Sequence, residues 1–598
     1  MKEQIVENKS ENQELSLKGY RWEKKEFCDE LKGQIIDKLK VSDVVAEIVS
    51  GRAKDLPEAE NFLNTTLKNN IKDPFMLKDM RKGVELVTSA IKENKKIVIF
   101  ADYDVDGATS AAIFRNYFRE IGQEIEVYVP DRITEGYGPN SKALLELKEQ
   151  NTDLVITVDC GTTAFEPLEV AHKAGLDVIV IDHHLGTSEI PKALAIINPN
   201  RADESSEYGY LCAAGVSFLF LVALNNILEK DGFFESTNKP NLLTLLDLVA
   251  IGTVCDMVPL KELNRAIVKQ GLKILAHTNR VGVKALSEIS NCDFSEADSY
   301  HLGFVIGPRI NAGGRVATSN LGADLLSSAS YDEARDIALK LELHNKERKA
   351  IETSVQEKVI KQIEEQQLYN NSVIIVSGEN WHPGVIGIVA SRVKEKYDLP
   401  AIVISFENQI GKASCRSIKG VDLGSAIVDA NDNNLLVNGG GHAMAAGFTI
   451  EKDKLEEFSN YLNNALEIGV KAANSNKVKQ YHYNTSISAF SLEFIKEINL
   501  IAPYGQENLE PKFVIDDCRV FNIKKIGVNH LKLRLVESVD GVYGKSLDAV
   551  MWKALDTEIG SSLFELQGKK ISVLGMIKIN KWNDKEIPQF QIEDVKYS

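Results

Sequence analysis

The sequence predicts an α/β protein with a doubly wound parallel sheet, a second α/β domain and a small C-terminal β-barrel. Between residues 93 and 331, apolar β-branched runs alternate with helical patterns, which is typical of parallel sheets covered by helices. A densely charged stretch without Gly or Pro follows at 332–370 and predicts a long exposed helix. Beyond residue 480, short strand patterns predominate, which favours a barrel.

The elements are predicted in this order along the chain. Residues 1–92 form a mixed helical segment with charged faces, which we expect to cap the first core. In 93–331 the runs KKIVIF, DLVITV and LDVIVI are the strands, and the apolar helix 241–254 ends just before Asp256. The helix 332–370 spans two domains. Residues 371–470 form the second α/β domain, and 480–598 form the barrel after a polar linker.

Acidic residues follow three of these strands and the apolar helix. Aspartates at the carboxyl ends of parallel strands face the crevice where open α/β sheets bind ligands. Gathered there, they would repel each other unless cations lay between them, and carboxylates with imidazole suit Mn²⁺ or Mg²⁺. Two ions about 4 Å apart would favour phosphoryl displacement. The residues are Asp102, Asp104, Asp106, Asp159, Asp182, His183, His184 and Asp256.

The first acidic motif has two simpler alternative interpretations. A lone Asp after a strand is more often a helix N-cap than a ligand. A calcium loop starting at Asp102 would need Glu at its twelfth position, which is Ile113 here. Recurrence of acidic sites one βα unit apart favours the metal interpretation.

Composition predicts a cytoplasmic protein of several domains; it does not fix the oligomeric state, for which a monomer is expected. The chain has 598 residues and seven cysteines, none in a Cys-x-x-Cys pair, which fits a reducing compartment and no structural zinc. The polar start is unlike a signal peptide, and no apolar run approaches the roughly 20 residues of a membrane span. The net charge of −16 argues mildly against a nucleic-acid partner, but DNA binding needs only a local basic track, and residues 481–598 are close to neutral.

The motifs ADYDVDG, VDCGT and IDHH resemble the DHH phosphoesterase superfamily. Further stretches, in order, resemble its RecJ-type single-stranded-DNA exonucleases: KDPFMLKDM, GPRINAGGR, WHPGVIGIVASR, SCRSIKG, GGGHAMAAGFT and APYGQENLEPKF. This resemblance implies a DHH catalytic core at 93–331, a DHH-associated domain at 371–470 and an OB-fold at 480–598.

The resemblance also implies roles for the acidic residues. Metal ligands carried over from it are Asp104, Asp106, Asp159, His183 and Asp256. Asp102 and Asp182 are placed in the surrounding layer that orients the ligands, and His184 is expected to contact the scissile phosphate rather than a metal. Phe100 stands nearest to where family phosphatases place a histidine, so one metal is expected to be held less firmly. Cys160 and Cys255 are expected to be small buried filler.

Two basic segments are predicted to hold the substrate. In the segment GPRINAGGR the predicted substrate-binding residues are Arg309, Asn311 and Arg315. The alternative is that the arginines of this segment form ion pairs with acidic residues. In the second domain the predicted substrate-binding residues are Ser414, Arg416 and Ser417. Gly440 and His442 are added to this set, because they lie in a predicted glycine-rich turn whose backbone amides would form an anion nest. Trp381 and His382 could stack a base, although a buried Trp is as well supported.

The expected function is a Mn²⁺- or Mg²⁺-dependent exonuclease on single-stranded DNA. The resemblance implies 5′-to-3′ polarity and a role in recombination and repair, with a helicase and a single-strand-binding protein as candidate partners. Two alternatives stay open: a DHH phosphoesterase for short oligoribonucleotides or cyclic dinucleotides, and a non-catalytic nucleic-acid scaffold. The predicted barrel favours a polymer substrate over short oligoribonucleotides or cyclic dinucleotides. The intact acidic motifs argue against a non-catalytic scaffold.

Overall fold

The computed structural model describes residues 15–132, 134–316, 318–539, 542–556, 558–582 and 585–597. The chain divides into two compact units. One comprises residues 66–475 with 505–507, and the other comprises residues up to 65, 476–504 and 508 onward.

The N-terminal residues form one short strand and five helices. They are β1 (Arg21–Lys24), α1 (Asp29–Leu39), α2 (Asp43–Ser50), α3 (Leu56–Leu63), α4 (Leu67–Asn70) and α5 (Met80–Lys92). Helix α3 shows local control of a boundary: Asp55 caps it by accepting from the Glu58 amide, and Pro57 lies in its first turn.

The core sheet has five parallel strands in the order β3-β2-β4-β5-β6. Its elements are β2 (Ile97–Ala101), α6 (Val105–Glu120), β3 (Glu126–Tyr128), α7 (Ser141–Glu149), β4 (Leu154–Val158), α8 (Phe165–Lys173), β5 (Asp177–Ile181) and β6 (Ala195–Ile197). The chain reverses direction across the sheet between β2 and β4, which creates a crevice at their carboxyl ends. The predicted doubly wound sheet is confirmed.

Both faces of this sheet are buried, which explains the continuous apolar strands. Ile97 and Ile99 of β2 belong to the larger core, whereas Val98 and Phe100 pack on the opposite face with α7 and α8. The larger core also contains α9 (Ala213–Lys230), α10 (Leu246–Cys255), α11 (Glu262–Ala276), α12 (Val281–Ser290), α13 (Gly307–Val316) and α14 (Leu321–Ser327). Helix α10 is the predicted apolar helix, and Asp256 is its C-cap.

A 35-residue helix, α15 (Tyr331–Glu365), leads to the second α/β domain. That domain contains β7 (Ile374–Glu379), α16 (Pro383–Tyr397), β8 (Ala401–Glu407), β9 (Ile410–Arg416), α17 (Leu423–Asp432), β10 (Asn438–His442), β11 (Ala445–Glu451) and α18 (Leu455–Ser475). Its mixed sheet has the order β10-β11-β9-β8-β7. The predicted connecting helix and second domain are therefore present.

The C-terminal unit is built on a closed barrel. Its elements are β12 (Val478–Tyr481), β13 (Tyr483–Asn484), α19 (Leu492–Ile498), β14 (Phe513–Ile526), β15 (His530–Val539), β16 (Val542–Met551), α20 (Glu558–Glu565), β17 (Lys570–Trp582) and β18 (Lys585–Tyr597). Strands β14, β15, β16, β18 and β17 follow one another, and a β14–β17 pairing closes the ring. The predicted barrel is confirmed.

The N-terminal segment does not act as a whole as the expected cap on the first core. Strand β1 pairs in parallel with β12, and Leu31, Ile35 and Val45 share one apolar core with the barrel strands. Only α4 and α5 belong with the catalytic unit. The charge pattern of residues 1–92 shows which helix faces are apolar but not which core these faces join. The pattern is local, whereas β12, the strand that pairs with β1, lies more than 400 residues away in the chain.

Helix α9 is long and apolar enough by composition to cross a membrane, a pattern that the sequence analysis did not single out. In the structure 72% of its apolar window is buried within the protein, as in a core helix.

Candidate metal centre

The turn after β2 places the first acidic motif. Asp104 is the N-cap of α6, and its Oδ1 accepts hydrogen bonds from the amides of Asp106 (2.8 Å) and Gly107 (3.2 Å). Gly107 is required because a Cβ there would lie 2.3 Å from the Asp102 carbonyl oxygen. The N-cap interpretation is therefore correct for Asp104, and the cap holds the motif against the sheet edge.

The next two strands deliver Asp159 and the paired histidines. Asp159 follows β4 directly and has a positive φ of 61°, a conformation that Asp tolerates better than most residues. Backbone strain of this kind collects at functional sites, where it aims a side chain. After β5, Asp182 accepts hydrogen bonds from the amides of His183 (2.7 Å) and Thr162 (3.0 Å), which fixes the turn.

His183 lies at the centre of the cluster. Its Nε2 is 3.3 Å from Asp159 Oδ1, 3.5 Å from Asp256 Oδ2 and 3.8 Å from Asp106 Oδ2. Asp256 reaches this point from the end of α10, a long way along the chain from the strands. Three overlapping groups have ligand atoms within 4.8 Å of one another: Asp159, His183 and His184; Asp106, His183 and Asp256; and Asp102, Asp104 and Asp159.

Burial raises the pKa of Asp106, and helix α9 partly opposes this shift by stabilising the charged carboxylate. Its first two amides, on Ala213 and Ala214, donate to Asp106 Oδ2 (2.6 Å) and Oδ1 (2.9 Å). The positive end of a helix dipole favours a carboxylate at this place. On the other side Gly252 of α10 admits the carboxylate, since a Cβ there would lie 2.8 Å from Asp106 Oδ1.

The electrostatics of the cluster call for a cation. Burial, and then neighbouring carboxylates, raise the pKa of Asp159 well above its usual value, and they raise the pKa of Asp102 to about 8 and that of Asp256 to about 9. Four buried atoms of the site have no hydrogen-bond partner. They are Asp102 Oδ1, Asp159 Oδ1, His183 Nε2 and Asp256 Oδ2. Convergent oxygen and imidazole atoms of this kind fit Mn²⁺ or Mg²⁺.

One of these unpaired atoms belongs to Asp102. The sequence analysis placed it in the layer around the ligands, but its Oδ1 is free and belongs to a group with Asp104 and Asp159. The geometry thus makes Asp102 a further candidate ligand.

His184 lies at the open side of the cluster and is held in a different way. Its Nδ1 lies 2.7 Å from Asp182 Oδ1, and its ring contacts the hydroxyl of Tyr137 at 3.3 Å. Burial lowers the pKa of His184, but the hydrogen bond and charge of Asp182 outweigh it and raise the pKa to about 9. Asp182 therefore orients a half-exposed imidazolium, which suits contact with a phosphate.

Three other residues near the ligands have structural roles. Phe100 is fully buried on the opposite face of the sheet and stacks on Tyr128 at 5.1 Å. Cys160 is fully buried, and the Cys255 thiol donates to the Leu302 carbonyl. Cys160 therefore fits the prediction of small buried filler, whereas Cys255 is only partly buried and makes a specific hydrogen bond.

A cleft lined by four arginines lies in the same unit. Arg132, Arg315 and Arg416 surround a volume of about 620 Å³ together with Ser414. Arg416 donates to Ser414 Oγ (3.2 Å) and to the Cys415 carbonyl (2.8 Å). Burial lowers the pKa of Arg416, and burial with the nearby Arg132 lowers the pKa of Arg315 to about 10. Among the described residues no carboxylate forms an ion pair with Arg132, Arg315 or Arg416. The fourth arginine of the cleft, Arg392, pairs with Glu352 at 3.4 Å, and Glu395 also lines the cleft. The three arginines without an acidic partner suit the cleft to an anion.

Other predicted substrate residues lie elsewhere. Arg309 forms an ion pair with Glu342 of α15 at 2.8 Å, which agrees with the alternative that the arginines of this segment pair with acids. The segment GPRINAGGR is largely helical rather than a loop, and this places Arg309 beside α15. Ser417 is buried and donates to the Val421 carbonyl, so its hydroxyl holds a turn. Asn311 lies on α13 and does not line the cleft.

The glycine-rich segment also differs from expectation. Gly440 and His442 are part of strand β10, paired with β11, instead of a turn that forms an anion nest. His442 borders a separate depression with Asp422 and Asp429. Trp381 is buried in the core of the second domain, which is the non-stacking alternative.

Comparison with known proteins shows which family has this arrangement. Residues 96–253 match the DHH family N-terminal domain, 370–467 the DHHA1 domain and 481–594 the RecJ OB domain. The single-stranded-DNA-specific exonuclease RecJ of Bacillus subtilis is 32% identical over 97% of this chain and 71% of its own length. This chain belongs to the RecJ family. RecJ of Escherichia coli is also 32% identical, over 87% of this chain and 90% of its own length.

Solved RecJ structures with bound Mn²⁺ or Mg²⁺ share this fold. RecJ of Thermus thermophilus in complex with Mn²⁺ matches with a TM-score of 0.76 and 26% identity over 97% of this chain and 80% of that one. The same protein with Mg²⁺ matches with a TM-score of 0.69. The ions in these RecJ crystals are the two for which the donor set described above is suited.

Two residues of this RecJ-family site were missed in the sequence. Arg132 and Tyr137 lie in the segment PDRITEGYG between β3 and α7, one in the arginine cleft and one beside His184. A polar, glycine-containing loop after a strand at the same sheet edge as the aspartates was the available signal. This loop lacks the repeated acidic pattern that marks the predicted metal ligands, so that pattern could not identify Arg132 and Tyr137.

Proposed function

We propose that the protein is a Mn²⁺- or Mg²⁺-dependent exonuclease that hydrolyses phosphodiester bonds of single-stranded DNA. The observation that carries this proposal is the convergence of unpaired buried carboxylate and imidazole atoms in one unit with an arginine cleft. A cation site adjoining an anion site is what phosphodiester hydrolysis needs. Membership in a family whose curated members are named for this activity supports the same conclusion.

The residues divide the reaction between them. Asp102, Asp104, Asp106, Asp159, His183 and Asp256 would hold the metal, which supplies Lewis acidity and a hydroxide near neutral pH. Arg315 and Arg416 would bind phosphate oxygens of the strand, and the His184 imidazolium would donate a hydrogen bond to the scissile phosphate. A water oxygen forms the new bond to phosphorus while the bond to the 3′ oxygen breaks, and that oxygen takes up a proton.

Several finer points of the proposal rest on family membership. They are the 5′-to-3′ direction, a role in recombination and repair, and a cytoplasmic location. A helicase that exposes single strands and a single-strand-binding protein are candidate partners on the same ground.

An end-labelled degradation assay tests the proposal. We expect single-stranded DNA carrying a 3′ label to shorten progressively with Mn²⁺ or Mg²⁺, and not with EDTA. Blunt duplex DNA should resist. Preferred cleavage of short oligoribonucleotides or cyclic dinucleotides would contradict the proposal, and so would tight DNA binding without any cleavage.

A further inference from the structure

Two stacked aromatic side chains are exposed in the catalytic unit and take no part in holding metal or phosphate. The rings of Tyr300 and Phe304 lie 5.0 Å apart with 23° between their planes. Tyr300 is 61% exposed and Phe304 is 69% exposed. A contiguous exposed apolar surface is costly in water and marks a binding site more often than a single exposed ring does.

The backbone under this aromatic pair is unusual. Residues His301–Ile306 form a π-helical turn, a rare geometry that occurs mainly at functional sites. Leu302 and Ile306 of the turn are buried in the core, while Phe304 faces outward. The inner face thus anchors the turn firmly and leaves the rings for a ligand.

The π-helical turn rests on the element that carries a metal ligand. The Cys255 thiol donates to the Leu302 carbonyl with a sulfur–oxygen distance of 3.3 Å, and Asp256 is the next residue of the chain. A Cβ at Gly307 would lie 2.7 Å from Cys255 Sγ, so glycine permits this close contact. On the other side, Phe304 lines the arginine cleft. The turn that carries the pair therefore contacts the end of α10 just before Asp256, and Phe304 borders the arginine cleft.

We propose that Tyr300 and Phe304 form a stacking platform for one nucleobase of the bound strand. The proposal rests on the proposed function, because it assigns the base of a nucleotide whose phosphate lies in the arginine cleft. Every base has a π-face, so such a platform accepts any sequence. A base held on an aromatic face is not free to pair with a second strand, so the platform adds to the preference for single strands.

The test combines protein variants with strands that lack one base. Oligodeoxythymidine is prepared with a single abasic residue at each successive position from the 5′ end. For the wild type, we expect one position at which base removal raises KM about tenfold with kcat little changed. Phe304→Leu should raise KM for the intact strand by a similar factor and should make that position insensitive to base removal. Phe304→Trp should restore the wild-type pattern.

Tyr369→Leu is the matched control. Tyr369 is partly exposed and stacks on Tyr397 at 6.3 Å, but it does not line the cleft, so its loss should leave KM unchanged. An unchanged KM for Phe304→Leu, or additive losses at every abasic position, would overturn the platform. A change in sedimentation coefficient with an unchanged KM would also overturn it, by making the pair a contact between copies of the chain.

Binding without catalysis separates this inference from the proposed function. Fluorescence anisotropy of the intact and abasic strands in EDTA reports stacking whether or not the strand can be cleaved. If the protein cleaves no strand but binding is lost at one abasic position, the proposed exonuclease activity is refuted and the stacking platform is supported. If the protein cleaves strands but no abasic position weakens binding, the exonuclease activity is supported and the stacking platform is refuted.

Discussion

The carboxylates at the sheet edge are unusual because they are both buried and close together. Asp159 is 2% exposed, and burial raises its pKa ahead of the repulsion from Asp106. Without a cation, such a group gains a proton rather than staying charged. The residues that make the cluster unstable on its own are thus the residues that a divalent ion would stabilise.

Loss of one central ligand should abolish turnover. Asp159→Ala and His183→Ala each remove an atom from two of the three overlapping groups. We expect kcat to fall at least about a hundredfold, because the remaining atoms would not hold the cation that offsets the negative charge of the reacting phosphate. Single-turnover cleavage measures this effect. Binding of single-stranded DNA should survive, since removing an acid relieves repulsion of the strand.

Asp177→Ala is the matched control for the ligand variants. Asp177 is an exposed aspartate at the amino end of β5, whereas the metal site lies beyond the carboxyl end. Its removal should leave cleavage normal. A variant of Asp159 or His183 that retains more than about a tenth of kcat, a deficit below about 1.4 kcal/mol, is not missing an essential ligand.

Arg416 should act on cleavage and not on stability. It has no acidic partner among the described residues, so Arg416→Ala breaks no ion pair there. We expect kcat/KM to fall by roughly a hundredfold with an almost unchanged Tm, and Lys to restore only part of the activity because it lacks the planar fork. Melting curves and single-turnover cleavage on the same preparations measure both effects.

Ser417→Ala provides the contrast to the arginine. Its hydroxyl donates to the Val421 carbonyl at 2.7 Å inside the second domain. Its loss should cost about 1 kcal/mol of stability and leave cleavage per folded molecule normal. Normal cleavage by Arg416→Ala would remove that residue from the substrate site.

At the scale of elements, α15 is tied to both domains of its unit by ion pairs. Glu342 pairs with Arg309 of α13, and Glu352 pairs with Arg348 at 2.7 Å and with Arg392 of α16 at 3.4 Å. Glu352 and Arg348 are both buried. A connecting helix fixed in this way behaves as a rigid support instead of a linker.

Glu352→Gln should destabilise the protein strongly. It leaves the buried Arg348 guanidinium without its counter-charge, which costs about 3 kcal/mol when one partner of a buried pair is removed. Urea unfolding measures the change. Glu365→Gln on the same helix is the control, because its pair with Lys361 is exposed and should contribute under about 0.5 kcal/mol. Equal urea midpoints of unfolding for Glu352→Gln and Glu365→Gln would contradict the conclusion that α15 is a rigid support.

At the scale of the whole molecule, the two ends of the chain fold together. The barrel core includes Leu31, Ile35 and Val45, and β1 completes a two-stranded sheet with β12. Deleting the C-terminal residues alone would therefore expose these apolar helices to water.

Truncation should depend on which ends are removed. A chain ending at residue 475 should aggregate, whereas a fragment of residues 66–475 should be monodisperse and still cleave very short oligonucleotides. The fragment should bind long poly-dT more weakly and with a flatter salt dependence, because fewer phosphates are neutralised. Size-exclusion chromatography and anisotropy titrations at several salt concentrations measure this. Unchanged affinity for the long strand would remove the barrel from the DNA path.

The sequence by itself determined the local part of this protein. Strand runs, caps and the acidic motifs depend on neighbours a few residues away, so the sheet, α15, the barrel and the clustering of acidic residues after β2, β4 and β5 could be predicted. Only the tertiary structure decided where distant segments meet. It paired Arg309 with Glu342, buried Ser417 and Trp381, brought Arg132 to the cleft and joined residues 15–65 to the barrel. Burial and charge pairing are summed over the whole fold, and residues far apart in the chain supply them.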